Sequence, residues 1–309
     1  MIAIVAIGVA FLVLPGALRE PLTQVRPRLW VRLSAGAMVT GSALMAFGLL
    51  AMATPTLLTG IGAHHLAALC RRLIHDTLAL GHPGGIGAAF LLLVIGFRAV
   101  TGMLAVRRER HAASIEGWVG THHRGEDHDL VVVPTATPIA MSSTVPRARI
   151  ILSTGLVDSL RREEVEMVVR HELSHIRGHH HRYLGLARVI DTTLGFLPLV
   201  RSSTQVLRLG LERWADEEAA GSDPVSRRVL RSALLRTTAL LVLPGYVSLG
   251  APEMLTRRAE ALAGRPTVTR IRWWHPAAVS LAAVTAATAG VSSLAVLSVS
   301  LTPAGLCYF

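Results

Sequence analysis

His171, Glu172 and His175 spell H-E-x-x-H in the middle of a 309-residue chain. Imidazoles four residues apart on a helix lie on one face, so both can offer a nitrogen to a single metal ion. Glu172 sits one step round. There its carboxylate can reach a water polarised by that metal and act as general base in hydrolysis. The same spelling also arises by chance on amphipathic helices, so the reading depends on a third ligand.

A catalytic zinc usually takes three protein ligands and keeps one position open. Two candidates compete for the third place. With Gly178, His181 completes H-E-x-x-H-x-x-G-x-x-H, the metzincin spacing. Glu212 opens Glu212-Arg-Trp-Ala-Asp216 on a later helix-favouring stretch. Along an unbroken helix, His181 lies about 1000° of rotation past His171, which turns it roughly 100° away from the two imidazoles. A metzincin breaks its helix at the glycine and later adds a methionine turn. Here the residues after Gly178 can continue a helix, and Met254 is the sole candidate for the turn. Glu212 and Asp216, four apart, share a face, so Glu212 can ligate while Asp216 orients a ligand imidazole. Glu212 is the expected third ligand and His181 the alternative. Residues 179–181 are then expected to form a polar or interfacial cluster. Cys70 and Cys307 both stand apart from the His/Glu group in sequence, which excludes a cysteine-ligated zinc site.

Three strands are expected ahead of the motif, at 129–134, 138–141 and 148–152, followed by a helix from 156 that carries H-E-x-x-H. A sheet edge beside a metal lets a substrate backbone add as an extra strand. After the motif, helices are expected over 183–200, 207–220 and 225–243.

Composition places this domain in a membrane. Hydrophobic residues make up 51% of the chain, charged residues only 17%, and the mean hydropathy is +0.48. The net charge of +11 would suit nucleic acid, but all 31 basic residues are arginine. That bias points to the base composition of a GC-rich bacterium, and many of the arginines flank apolar runs, so no nucleic-acid partner is expected. Apolar runs cover about 1–18, 33–58, 84–106 and 277–301. The third contains Arg98, eight residues inside its end and roughly 12 Å deep at helical rise. That arginine either snorkels or faces another helix, snorkelling being the plainer reading. The loop 59–83 reads as a surface amphipathic helix. Arginines after the first and third runs, and before the fourth, place residues 107–276 in the cytoplasm and both termini outside. Arg71 and Arg72 run against that orientation without reversing it. Cys70 and Cys307 then share an oxidising side where a disulfide could form, although two unpaired small apolar residues is the plainer reading.

The expected fold is therefore mainly α and integral to the membrane. Four transmembrane helices carry a cytoplasmic α+β gluzincin-like zinc peptidase domain, a small sheet plus the H-E-x-x-H helix, inserted between spans three and four. Residues 1–106 hold three spans, 107–276 the metallopeptidase domain, and 277–309 the last span and a short tail.

Ile150-Ile-Leu-Ser-Thr-Gly-Leu-Val-Asp-Ser-Leu160, Glu163-Glu164, His171-Glu-Leu-Ser-His175 and Glu212-Arg-Trp-Ala-Asp216 together resemble the BlaR/MecR-type membrane metallopeptidases. These are the antirepressor proteases of beta-lactam sensing, and HtpX-like and CAAX-protease neighbours share their core. The resemblance covers roughly 128–262. It implies one Zn2+ per chain on His171, His175 and Glu212, the base on Glu172, a supporting role for Asp216, and a cytoplasm-facing domain in a multi-pass bacterial cell-membrane protein. In the sensor-transducers a penicillin-binding domain follows the last span, whereas this sequence stops at Phe309, so beta-lactam sensing is not expected of it. The expected partners are the lipid bilayer and a protein or peptide substrate, for instance a cytoplasmic repressor. Membrane-protein quality control is the competing protease role. A non-catalytic zinc-binding membrane regulator is the competing class, but it has no use for a base such as Glu172. Arg213, His180 and Tyr183 are the candidate oxyanion donors.

Overall fold

The computed structural model describes residues 1–18, 25–74, 81–115, 120–125, 128–144, 147–241 and 251–264. The expected span at 277–301 and Cys307, with its pairing, lie outside the described residues. The chain divides into two compact units, and among the described residues the division falls within three helices.

The first unit takes in residues 1–12 and 37–96. Its helices are most of α1 (Ile2–Ala17), the later part of α2 (Pro27–Gly60), α3 (His64–Ile74) and the first half of α4 (Gly81–Ile115). Two glycines let α1 and α2 approach closely. A Cβ on Gly41 would stand 2.6 Å from the Gly8 carbonyl oxygen, and one on Gly8 would stand 2.8 Å from that of Gly41. Small residues at such a crossing bring helix backbones together, as they do between membrane helices.

Two described helices are long and apolar enough to cross a membrane, Pro27–Gly60 and Pro83–Glu109. Only 6% of the most apolar window of the second is buried, and Phe90, Leu93 and Phe97 stand in the open. The first expected span is helical, but α1 has 16 residues. At helical rise it is about 24 Å long, short of the roughly 30 Å of a hydrocarbon core.

The second unit takes in residues 13–36 and 97–268. Its sheet has four strands, β1 (Thr121–Arg124), β2 (Asp129–Val133), β3 (Ala140–Ser143) and β4 (Arg149–Ser153), in the order β1-β2-β4-β3. The β2–β4 pairing is parallel with Val131 opposite Ile151, and both outer pairings are antiparallel. Two corrections follow. The middle expected strand shifts from 138–141 to 140–143, and β1 adds a strand where Thr121-His-His-Arg124 shows no apolar alternation to announce it.

Short α5 (Thr154–Ser159) is capped by Ser153, whose Oγ accepts from the Leu156 N–H at 3.1 Å. Next comes α6 (Arg162–Arg177), whose two faces are both covered. Val165, Val168, Val169, Leu173 and Ile176 pack on Ile150 and Leu152 of the sheet. On another face, Met167 joins a core with Ala219, Ala220, Leu230 and Leu262 from later helices. Glu164 fixes the start of α6 and is fully buried. Its carboxylate accepts from the Arg161 N–H (2.9 Å) and guanidinium (3.1 Å) and from the Ser232 hydroxyl (2.6 Å), with Arg236 Nε at 3.3 Å. Burial alone would raise its pKa, but these donors hold it down at about 2.

The helix does not continue through the histidine run. It ends at Gly178, His179 takes a left-handed conformation (φ 51°), and α7 (His180–Leu194) starts anew. A second break replaces the expected single helix over 183–200. Leu197 is extended because it precedes Pro198, and α8 (Pro198–Ala220) is one helix that includes 207–220. Asp191 of α7 joins the pair by accepting from Thr204 Oγ1 (2.5 Å) and Arg208 (2.6 Å). Arg98 does not snorkel. Its Nε donates to the carbonyls of Thr192 (2.8 Å) and Thr193 (3.2 Å), the free acceptors at the C-terminal end of α7. Helices α9 (Pro224–Leu241) and α10 (Ala251–Ala263) complete the unit.

Candidate metal centre

His171 and His175 project from α6 toward α8, which carries Glu212 one turn before Asp216. His171 Nε2 and His175 Nε2 are 3.1 Å apart. Glu212 Oε2 lies 3.5 Å from the first and Glu212 Oε1 lies 3.7 Å from the second. One ligand atom from each of the three residues falls within 4.8 Å of the others. Among the described residues this group has Glu212 as its third member, not His181. The break at His179 starts a new helix, and His181 lines the cleft instead of joining the cluster. Met254 packs on Trp30, Val206 and Leu209.

The other nitrogen of each imidazole also meets a partner. His171 Nδ1 is 3.0 Å from Asp216 Oδ1, and His175 Nδ1 is 2.8 Å from His180 Nδ1. His180 is fully buried, with its ring centroid 4.6 Å from that of Trp214. It is therefore part of the site and not of an interfacial cluster, as the histidine run had suggested. Of the other candidate donors, Arg213 is turned away. It is buried with its guanidinium 5.7 Å from the centre of the Trp30 ring.

Arg258 on α10 is a residue that sequence reasoning missed. Its guanidinium forks Asp216 at 2.7 and 2.8 Å and reaches Glu212 Oε2 at 2.8 Å. Asp216 is buried and Glu212 half-buried, which favours their neutral forms, but Arg258 and His171 outweigh this and hold both below the usual carboxylate range. Burial likewise opposes charge on His171, yet Asp216 and Glu212 lift its pKa to about 9. Burial lowers the pKa of His175, and takes that of His180 down to about 3 with His175 beside it. Two imidazoles and an ionised carboxylate converge here, with a second carboxylate behind. That donor set suits a divalent cation such as zinc.

Glu172 is the next residue round the helix and is also buried. Its charge is felt by His175 and by Arg258. A cleft of about 570 Å3 opens beside His175 and His180, walled by β3 residues Met141, Ser142 and Ser143 and by Leu184 of α7. Since β3 is an outer strand, the cleft lies along a sheet edge.

Residues 128–240 match the model of peptidase family M48. The match spans β2 through nearly all of α9 and includes His171, Glu172, His175, Glu212 and Asp216, so a peptidase-family domain lies on the cluster. The match supports a metallopeptidase-type domain and does not extend to the BlaR/MecR type. Arg258 lies beyond the M48 stretch. No curated protein and no solved structure matches the chain.

Proposed function

We propose that the chain is a membrane-embedded zinc-dependent endopeptidase that cleaves protein substrates on the cytoplasmic side of a bacterial cell membrane. The observation that carries this reading is the convergence of His171, His175 and Glu212 within 4.8 Å, with Glu172 adjacent and a cleft alongside. His171, His175 and Glu212 would hold the ion, with Asp216 orienting His171. Bound zinc supplies Lewis-acid polarisation of the scissile carbonyl and acidifies the attacking water. Glu172 removes a proton from that water and delivers it to the leaving amine nitrogen as the C–N bond breaks. The outer edge of β3 offers backbone donors and acceptors to an extended substrate, which adds as a further strand along the cleft.

Support for the membrane comes from α2 and α4 and from the arginines at 107, 108 and 110 that close the apolar run of α4. Regulatory cleavage of a repressor-type protein is the role that the resemblance to antirepressor peptidases favours. Metal removal tests the activity. Full-length protein in detergent, stripped with a chelator, should lose hydrolysis of a quenched fluorescent polypeptide and regain it with zinc. Hydrolysis indifferent to stripping contradicts the reading.

A further inference from the structure

We infer that His180 is a positioning residue whose neutral Nδ1 accepts a hydrogen bond from the His175 Nδ1–H, fixing His175 in the tautomer whose Nε2 can bind a metal. The inference rests on the metallopeptidase reading above and adds to it the residue that orients the second ligand.

A neutral imidazole carries one N–H, so a lone pair on Nε2 requires the proton on Nδ1. His175 Nε2 faces His171 and Glu212, and its Nδ1 meets His180 Nδ1 at 2.8 Å. Two nitrogens at that distance share one proton. If His175 ligates through Nε2, His175 is the donor and His180 the acceptor, with the proton of His180 on its own Nε2. That Nε2 is buried with no hydrogen-bond partner among the described residues, so the contact with His175 is the ring's one polar engagement there.

The surrounding fold is shaped to hold this ring. The left-handed turn at His179 folds the chain so that His180 returns to His175. Trp214, two residues after Glu212, packs against the ring. Gly178 leaves it room, since a Cβ there would stand 2.6 Å from His180 Cδ2 and closer still to Nε2. The glycine that suggested a metzincin therefore makes space for His180. The two ligand imidazoles are oriented by unlike partners, the Asp216 carboxylate for His171 and a neutral imidazole for His175.

The test measures zinc affinity by competition with a chromophoric chelator, using full-length protein in detergent. His180→Asn places an amide oxygen where Nδ1 was and keeps the acceptor, while His180→Leu has a similar size and lacks it. Loss of such an orienting partner commonly costs 10–100-fold in metal affinity, so His180→Leu should bind zinc about that much more weakly while His180→Asn stays near wild type. Wild-type affinity in His180→Leu, or equal weakness in both variants, overturns the inference. Nitrogen-15 histidine spectra of the zinc-loaded wild type give a check that needs no variant. The inference requires protons on His175 Nδ1 and His180 Nε2, and a proton on His180 Nδ1 contradicts it. A wild-type chain that binds no zinc overturns the metallopeptidase reading itself.

Discussion

Asp216 Oδ1 stands 3.0 Å from His171 Nδ1, which leaves His171 Nε2 directed at the space it shares with His175 and Glu212. Arg258 grips the same carboxylate with two nitrogens, so the orienting group is itself oriented. Replacing Asp216 with asparagine keeps the shape but lets the amide turn a donor toward His171. Zinc affinity should fall roughly 10–100-fold, with the chain still folded by circular dichroism. Unchanged affinity would remove Asp216 from the site.

The two ligand schemes separate by single substitutions. Glu212→Ala should abolish stoichiometric zinc in purified protein, measured by atomic emission, whereas His181→Ala should retain it. The reverse pattern would favour the metzincin arrangement.

Zinc uptake should release a proton. With its pKa raised to about 9, His171 is protonated at neutral pH without metal, and the ion must displace that proton. Apparent affinity should therefore rise as pH increases from 6 toward 9, by about tenfold per unit while one proton is exchanged. Calorimetry in buffers of different ionisation heat reads the proton count. Affinity flat across that range contradicts the electrostatic picture of the site.

Glu164 should make the catalytic unit acid-sensitive. Its folded pKa is about 2, against an ordinary 4.5. A depressed carboxylate stabilises the fold fully above the ordinary value and loses that contribution as pH falls toward the folded one. Glu164→Ala should lower stability by roughly 1–3 kcal/mol at neutral pH, and the difference from wild type should shrink below pH 4. A pH-independent gap in thermal midpoints would contradict the assignment.

The residues that were legible in the sequence share one helix face at fixed spacing. His171 with His175 and Glu212 with Asp216 are each four apart, and one-dimensional periodicity suffices to pair them. Arg258 was not legible, because nothing in Arg257-Arg258 says which carboxylate α10 will approach. His180 was hidden among three consecutive histidines, where one backbone conformation at His179 decides which ring turns inward. The break before Pro198 was readable from the proline itself and was outweighed by the apolar run around it. The partners of Arg98 are not legible either, because its acceptors, carbonyls near the end of α7, lie 94 and 95 residues away in sequence.

The central claim is that Glu172 serves as the base beside a metal held by other residues. Glu172→Ala, compared with wild type for both zinc content and hydrolysis of the same polypeptide, tests it most directly. Wild-type zinc with hydrolysis reduced by two or more orders of magnitude is the expected result, given the roughly 10²–10⁴-fold contribution of a general base. Full hydrolysis by the variant would contradict the mechanism.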